Sequence, residues 1–218
     1  MRGSLSASAL AFDLDGVLVD SEAVNVRSAF EAFASFGHAL AHEDASRIVG
    51  LHPVDYVPRF AARFEMDLEA QQVLMQRQDG IYRALWEEEV RPTEGAVATI
   101  DTLHRAGRRL ALATSADRAH AERCLARMEI ETAFEFVMTK DDVERRKPHP
   151  EVYLVSARRF GVEPSAMLVV EDSPVGVQAA VAAGARCAAV RTAHTPMATL
   201  ERADVVLESL ADLIDLLA

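Results

Sequence analysis

The chain has 218 residues and a mass of 23.8 kDa, enough for one large domain or two small ones. Half of it is hydrophobic and 26% is charged; this excludes a disordered chain, which has too little apolar surface to offset its ordering entropy. A net charge of −11 disfavours a free-standing nucleic-acid binder, which presents a basic surface, and means that an anionic substrate needs local positive charge, such as a metal. Cys124 and Cys187 lie in apolar runs and cannot form a disulfide framework, which suits core positions in a reducing compartment. No apolar run approaches the roughly 18 residues of a membrane span, and no signal peptide is visible before Asp13. The expectation is a cytoplasmic protein, with no membrane or nucleic-acid partner.

In chain order, Leu10-Ala11-Phe12 is the first short apolar run, directly before Asp13. From about Ser21 to Val90 no strand pattern is found. Val26, Phe30 and Phe33 mark a first helix, capped by Asp20 or Ser21, with Arg27 and Glu31 as an exposed i,i+4 pair. Helical segments follow at about Val54–Phe64 and Leu68–Glu89. Val97, Ile100 and Leu103 form the next helical stripe, ended by Gly107; Leu110 to Ala113 is then a second apolar run, before Thr114. Ala121, Cys124, Leu125 and Met128 have helical spacing, and Phe136-Val137-Met138 is a third run. Met167 to Val170 precedes Glu171; Val177, Ala180 and Val181 form a helix opened by Pro174 and stopped near Gly184; Cys187 to Val190 and Val205-Val206-Leu207 complete the series. Short continuous apolar runs suit strands buried on both faces. Their alternation with helices predicts a doubly wound parallel α/β sheet, Rossmann-like, interrupted by an inserted all-helical subdomain. The expected boundaries are 1–16 and 93–218 for the core and 17–92 for the insertion, which leaves from a strand's carboxyl end, where such folds bind ligands.

The chemistry-bearing residues fall at these strand ends. Asp13-Leu14-Asp15-Gly16 places two acids after a buried run, a costly arrangement unless a hard cation compensates it; in isolation it also reads as an ordinary turn. Glu171-Asp172-Ser173 is a second acidic pair at a strand end, with a helix cap as the alternative reading. Thr114-Ser115-Ala116 supplies a hydroxyl and successive backbone N–H groups that could cradle an anion, or simply cap a helix. Lys147, before Pro148-His149-Pro150, could balance a phosphate and the carboxylates, or be a solvated lysine in the charged run 141–147. Together the four stations specify phosphoryl transfer through a carboxylate nucleophile. Asp13 attacks phosphorus, Asp15 protonates the leaving group and then activates water, magnesium bridges Asp13 and a phosphate oxygen, and Lys147, Thr114 and backbone N–H groups stabilise the equatorial oxygens.

This order of motifs resembles the haloacid dehalogenase superfamily over nearly the whole chain. Asp13-Leu14-Asp15-Gly16-Val17-Leu18 looks like the first motif, Thr114 the second, Lys147-Pro148 the third and Glu171-Asp172 the fourth. The helical insertion is similar to the small cap of the phosphoglucomutase-like branch. The resemblance implies magnesium held by Asp13, the Asp15 carbonyl and Asp172, with Glu171 as a further metal residue, and contact of Lys147 with the transferred phosphate and Asp13. The attack of Asp13 would leave an aspartyl phosphate that must be shielded from stray water, and the strand-free insertion leaving just after Asp13 and Asp15 is expected to open and close over it as a lid. The second acid, Asp15, disfavours carbon–halogen cleavage, because the family's true dehalogenases lack it. Sugar-phosphate mutases typically carry His twelve residues after the nucleophile; Asn25 stands there and has no acid–base capacity near neutral pH. The reading is therefore a magnesium-dependent phosphatase of a small phosphorylated metabolite, with a phosphosugar mutase and a non-catalytic binding protein as rivals. Gly50-Leu51-His52-Pro53 resembles the cap loop that faces the active site in this branch, so His52, Arg47 and Arg59 are candidate substrate contacts. Trp86 and Phe64 are expected in the cap's core. The oligomeric expectation is a monomer or weak homodimer.

Overall fold

The computed structural model of the protein describes residues 6–49, 51–192, 195 and 200–218. The chain divides into two compact units, Met1–Asp20 with Pro92–Ala218, and Ser21–Arg91. The first unit is built on β1 (Ala9–Phe12), β2 (Leu110–Ala113), β3 (Phe136–Met138), β4 (Met167–Glu171), β5 (Arg186–Val190) and β6 (Val205–Leu207). All neighbours pair in parallel, in the order β3-β2-β1-β4-β5-β6. Every residue of β1, β2 and β4 is buried, the burial expected of parallel strands covered on both faces. Helices connect the strands: α4 (Ala96–Arg105) precedes β2, α5 (Arg118–Met128) follows it, α6 (Glu151–Phe160) precedes β4, α7 (Pro174–Ala182) follows it, and α8 (Asp212–Leu216) ends the chain.

Side-chain size sets how closely the helices approach. Ala9, Ala11, Ala111 and Ala113 line one face of the sheet and share a core cluster with Tyr153, Ala157 and Phe160 of α6 and Val177, Ala179 and Ala180 of α7. The expected doubly wound sheet is present, and the apolar runs are its strands. One boundary differs: β4 continues through Glu171, so this acid is the last strand residue and completely buried. Pro174 opens α7 and the Ser173 hydroxyl caps it, accepting from Gly176 N at 3.1 Å. Register aligns the strand ends, because Phe12 lies opposite both Leu112 of β2 and Val170 of β4.

The second unit contains α1 (Glu22–Ser35), a 3-10 turn (His42–Arg47), α2 (Pro53–Arg63) and α3 (Leu68–Glu89), with no strand among its described residues 21–90. Phe33, Ile48, Tyr56, Val57, Phe60 and Leu74 form its core, with Val26, Phe30 and Phe64 packed against it; each large apolar side chain buried there contributes about 1.5–3 kcal/mol. Trp86 is also buried. Asp67 caps α3 through Ala70 N at 2.8 Å. Ser21 occupies the first cap position of α1, but its side chain makes no cap hydrogen bond. Arg27 pairs with Glu31 at 2.8 Å, as the spacing predicts, and also with Glu89. Where the chain leaves and rejoins the first unit, Thr93 donates its N–H to Leu18 O at 2.9 Å and its hydroxyl to Val17 O.

Candidate active site

Three adjacent strands deliver polar groups to one edge of the sheet. Directly beyond β1, Asp13 N donates to Val170 O of β4 at 2.9 Å, which fixes the backbone of the acid. Beyond β2, Thr114 N donates to Met138 O at 2.9 Å, and the Thr114 hydroxyl accepts from Ala116 N at 3.0 Å. Lys147 reaches this edge from the loop before α6. Its ammonium donates to Asp13 Oδ1 at 2.8 Å, Glu171 Oε1 at 2.6 Å and Ala113 O at 3.0 Å. Three N–H donors meet three acceptors from three strand ends, so the ammonium has no donor left over. Its side chain is only 4% exposed, so the solvated alternative for Lys147 does not hold.

Glu171 is held still more completely. Oε1 accepts from Lys147 and from Tyr153 Oη at 2.6 Å. Oε2 accepts from Asp172 N at 3.2 Å, Ser173 N at 3.3 Å and Ser173 Oγ at 3.0 Å. Five donors address the roughly four lone-pair sites of one carboxylate. The carboxylate also lies at the N-terminus of α7, where backbone N–H groups and the helix dipole favour negative charge. A Cβ on Gly176 would collide with it, so glycine is what admits the acid there. Glu171 is expected as a metal residue; both its oxygens accept from Lys147, Tyr153 and Ser173, and one of them also belongs to the carboxylate cluster that could hold an ion.

Burial and pairing set the electrostatics. Burial pushes the pKa of Asp13 up to about 7, against the downward pull of Lys147. Burial alone would raise Glu171, but Lys147, Tyr153 and Ser173 outweigh it and hold the carboxyl below its usual range. Burial would lower Lys147; Asp13 and Glu171 outweigh this and raise it. Asp13, Asp15, Glu171 and Asp172 thus set four carboxylates against one ammonium.

This donor set fits a hard divalent cation. One oxygen each from Asp13, Glu171 and Asp172 lie within 4.8 Å of one another, and magnesium takes carboxylate and carbonyl oxygen ligands. Gly16 has φ +81°, and a Cβ there would collide with the Asp172 carboxylate; the first acidic turn and the last thus approach within reach of one ion. Asp13, Glu171 and Asp172 are the side chains that could hold it.

The sequence model of the family described as haloacid dehalogenase-like hydrolase matches residues 10–190. The chain belongs to this family. It is 34% identical over 204 residues to hexitol phosphatase A of Escherichia coli, covering 91% of this chain and 89% of that protein. It is 30% identical over 186 residues to fructose-1-phosphate phosphatase YqaB of Escherichia coli, covering 84% and 95%. A haloacid dehalogenase family hydrolase from Deinococcus radiodurans, solved with bound phosphate and sodium, superposes with a TM-score of 0.76 at 29% identity, covering 95% and 93%.

Within this haloacid dehalogenase-like enzyme the remaining expected residues take varied positions. Asp15 is half-buried, with Oδ1 3.8 Å from His120 Nε2. Ser115 is exposed and Ala116 half-buried, at the turn entering α5. In the second unit, His52 caps α2, its Nδ1 accepting from Val54 N at 3.3 Å. Arg47 is 68% exposed at its side chain and pairs with Asp44 at 3.2 Å. Arg59 is exposed on α2, and Gly50 lies outside the described residues. Asn25 donates to Glu22 Oε1 at 3.3 Å and accepts from Gln78 at 3.5 Å.

Two residues next to the site were missed from sequence. Tyr153 carries a buried hydroxyl on the core face of α6; a signal existed, since a tyrosine on a helix's apolar stripe needs a partner for its O–H. Glu151 accepts from Glu144 N at 2.9 Å and Arg145 N at 3.1 Å, and so pins the loop that carries Lys147. Its position after Pro150 gave no such signal.

Proposed function

We propose that the chain is a magnesium-dependent phosphatase of a small phosphorylated sugar or similar phosphomonoester, acting through an aspartyl phosphate on Asp13. The observation that carries this reading is Lys147, buried and bonded at once to Asp13, Glu171 and the end of β2. Such a lysine fixes the carboxylate that must approach phosphorus and offers positive charge where two anions meet. The similarity to phosphatases named for hexitol and fructose 1-phosphate supports the substrate class.

In this mechanism an Asp13 carboxylate oxygen forms a bond to phosphorus as the bond to the leaving oxygen breaks. Asp15 transfers its proton to that oxygen. A water then attacks phosphorus, the bond to Asp13 breaks, and Asp15 accepts the water's proton. The Thr114 hydroxyl and the Ser115 N–H bind the phosphoryl oxygens, with the positive charge of Lys147 beside them. Magnesium, held by Asp13, Asp172 and the Asp15 carbonyl, supplies charge neutralisation when bound. Glu171 acts by holding Lys147. The second unit serves as a lid, and Arg47, His52 and Arg59 select the substrate.

The test is phosphate release from a panel of sugar, polyol and nucleoside monophosphates with magnesium. Turnover of at least one sugar or polyol phosphate is expected. Inertness toward the whole panel and toward p-nitrophenyl phosphate would refute the enzyme reading and favour a binding protein. Conversion of β-glucose 1-phosphate to glucose 6-phosphate would favour the mutase, against which Asn25 argues.

A further inference from the structure

Tyr153 is completely buried, six residues after Lys147, and takes no part in the chemistry proposed above. Its position is nonetheless specific. The hydroxyl donates to Glu171 Oε1 at 2.6 Å, the same oxygen that accepts from Lys147 at 2.6 Å. Its ring face lies under the Lys147 ammonium, 5.0 Å from Nζ to the centroid. The residue therefore meets both members of the Glu171–Lys147 pair, one through its O–H and the other through its ring.

We infer that Tyr153 is a positioning residue, which acts through Glu171 to hold the Lys147 ammonium on Asp13. The inference rests on the reading of Asp13 and Lys147 as reacting groups. A carboxylate with rotatable stem bonds is fixed only if both oxygens are held. Oε2 is held by Asp172 N and by the N–H and hydroxyl of Ser173, on the α7 side. On the other side, among the described residues, Oε1 has Lys147 and Tyr153 as its donors. Without the tyrosine hydroxyl, Lys147 is the sole donor to Oε1, and the two flexible side chains can shift together away from Asp13. With it, Oε1 has a second anchor on a rigid helix. The ring beneath the ammonium adds a cation–π contact in a desolvated place. A small displacement of a charged group at a reacting centre costs far more than the same displacement elsewhere.

The experiment compares the full chain with Y153F, Y153L, E171Q and the Y153F/E171Q pair, using p-nitrophenyl phosphate with magnesium. Phenylalanine keeps the ring and its packing, so a purely structural tyrosine predicts unchanged kinetics. Positioning predicts a fall in kcat of about tenfold, the scale of one lost hydrogen bond to a buried charge, with KM within about twofold. Y153L, which loses the ring too, should fall further. Because the effect passes through Glu171, adding Y153F to E171Q should cost less than about twofold. A second readout needs no turnover: the 1H–15N signal of the Lys147 ammonium, whose three N–H groups are all bonded and buried, should exchange faster with water in Y153F. Unchanged kcat with unchanged ammonium exchange in a folded Y153F overturns the inference, as does an undiminished loss in the E171Q background. Absence of turnover in the wild type would refute the phosphatase reading instead, and the ammonium signal would still decide the role of Tyr153.

Discussion

Lys147→Met removes the ammonium bonded to the buried Asp13 and Glu171 carboxylates while keeping a side chain of similar length. The Lys147 side chain is 4% exposed, Glu171 is fully buried and Asp13 nearly so. Breaking a buried ion pair by removing one partner costs about 3–5 kcal/mol, because the remaining charge is stranded. Here two carboxylates lose the same partner. Asp13, already pushed up to about 7 by burial, takes up a proton and relieves part of the strain, which keeps the loss inside that range. For a chain of 150–250 residues each kcal/mol shifts Tm by about 2–4 °C, so the expected loss is ~6–20 °C. The assay is a thermal melt in EDTA followed by circular dichroism, repeated with magnesium. Magnesium should raise the Tm of the variant more than that of the wild type, since a cation returns to a site that lacks one. A variant melting within about 2 °C of wild type in EDTA would refute the placement of Lys147 as the buried counter-ion.

Asp13→Asn should lower kcat by on the order of 10³-fold or more while leaving the melt intact, because the amide accepts from Lys147 but is a poor nucleophile; near-normal turnover in a pure sample would remove Asp13 from its role. Chelation should abolish phosphate release, with magnesium restoring it and calcium failing to do so, since calcium adopts looser and higher coordination; this is read by titrating each metal into metal-free protein. Asp44, buried in the second unit, accepts from Ala41 N at 2.9 Å, Arg63 at 2.9 Å and Arg47 at 3.2 Å, so Asp44→Ala should cost about 1–3 kcal/mol in urea denaturation. Burial would raise its carboxyl, but these donors outweigh that and hold it below 3.8; its contribution is therefore present above about pH 4 and lost as pH falls further, and the stability gap between wild type and Asp44→Asn should close only in that acid range. Arg47→Ala, His52→Ala and Arg59→Ala should reorder the substrate panel more than they change magnesium activation; unchanged ranking in all three would leave selection to the first unit.

The sheet and its acidic edge were legible because their signals are local. Apolar runs of three or four residues directly before Asp13, Thr114 and Glu171 show both the strands and what stands at their ends. The helical unit was legible for the complementary reason, since Val26, Phe30 and Phe33 repeat at helical spacing. What escaped depends on contacts between distant segments. The contact of Lys147 with Asp13 follows from the motif order, but its burial and its further bonds to Glu171 Oε1 and Ala113 O do not, because the charged run 141–147 looks solvated. Glu171 and Asp172 are adjacent acids of nearly equal chemistry. Their surroundings differ because β4 extends one residue further than the apolar run, and the N–H groups of Asp172 and Ser173 just before α7 turn onto Glu171. The pairing of Arg47 with Asp44, three residues before it, was not legible, because nothing in the sequence shows that Asp44 is buried.

The strand order explains why the acids meet at all. From β1 the chain builds outward through β2 and β3, then returns to the other side of β1 and builds outward through β4, β5 and β6. The reversal lies between β1 and β4, and in open α/β sheets a crevice opens at the carboxyl ends of the strands at such a point. Asp13 and Asp15 leave β1 on one side of it; Glu171 and Asp172 leave β4 on the other. Register then decides which acid does what. Phe12 lies level with Val170, so Asp13 and Glu171 occupy equivalent places, and a slip of one residue would exchange the directions of Glu171 and Asp172. Two glycines admit this arrangement, since side chains at Gly16 and Gly176 would collide with Asp172 and Glu171 respectively. Acids separated by some 158 residues in sequence thus converge through a pairing register and two missing side chains, and the buried lysine is what makes their convergence electrostatically tolerable before any metal arrives.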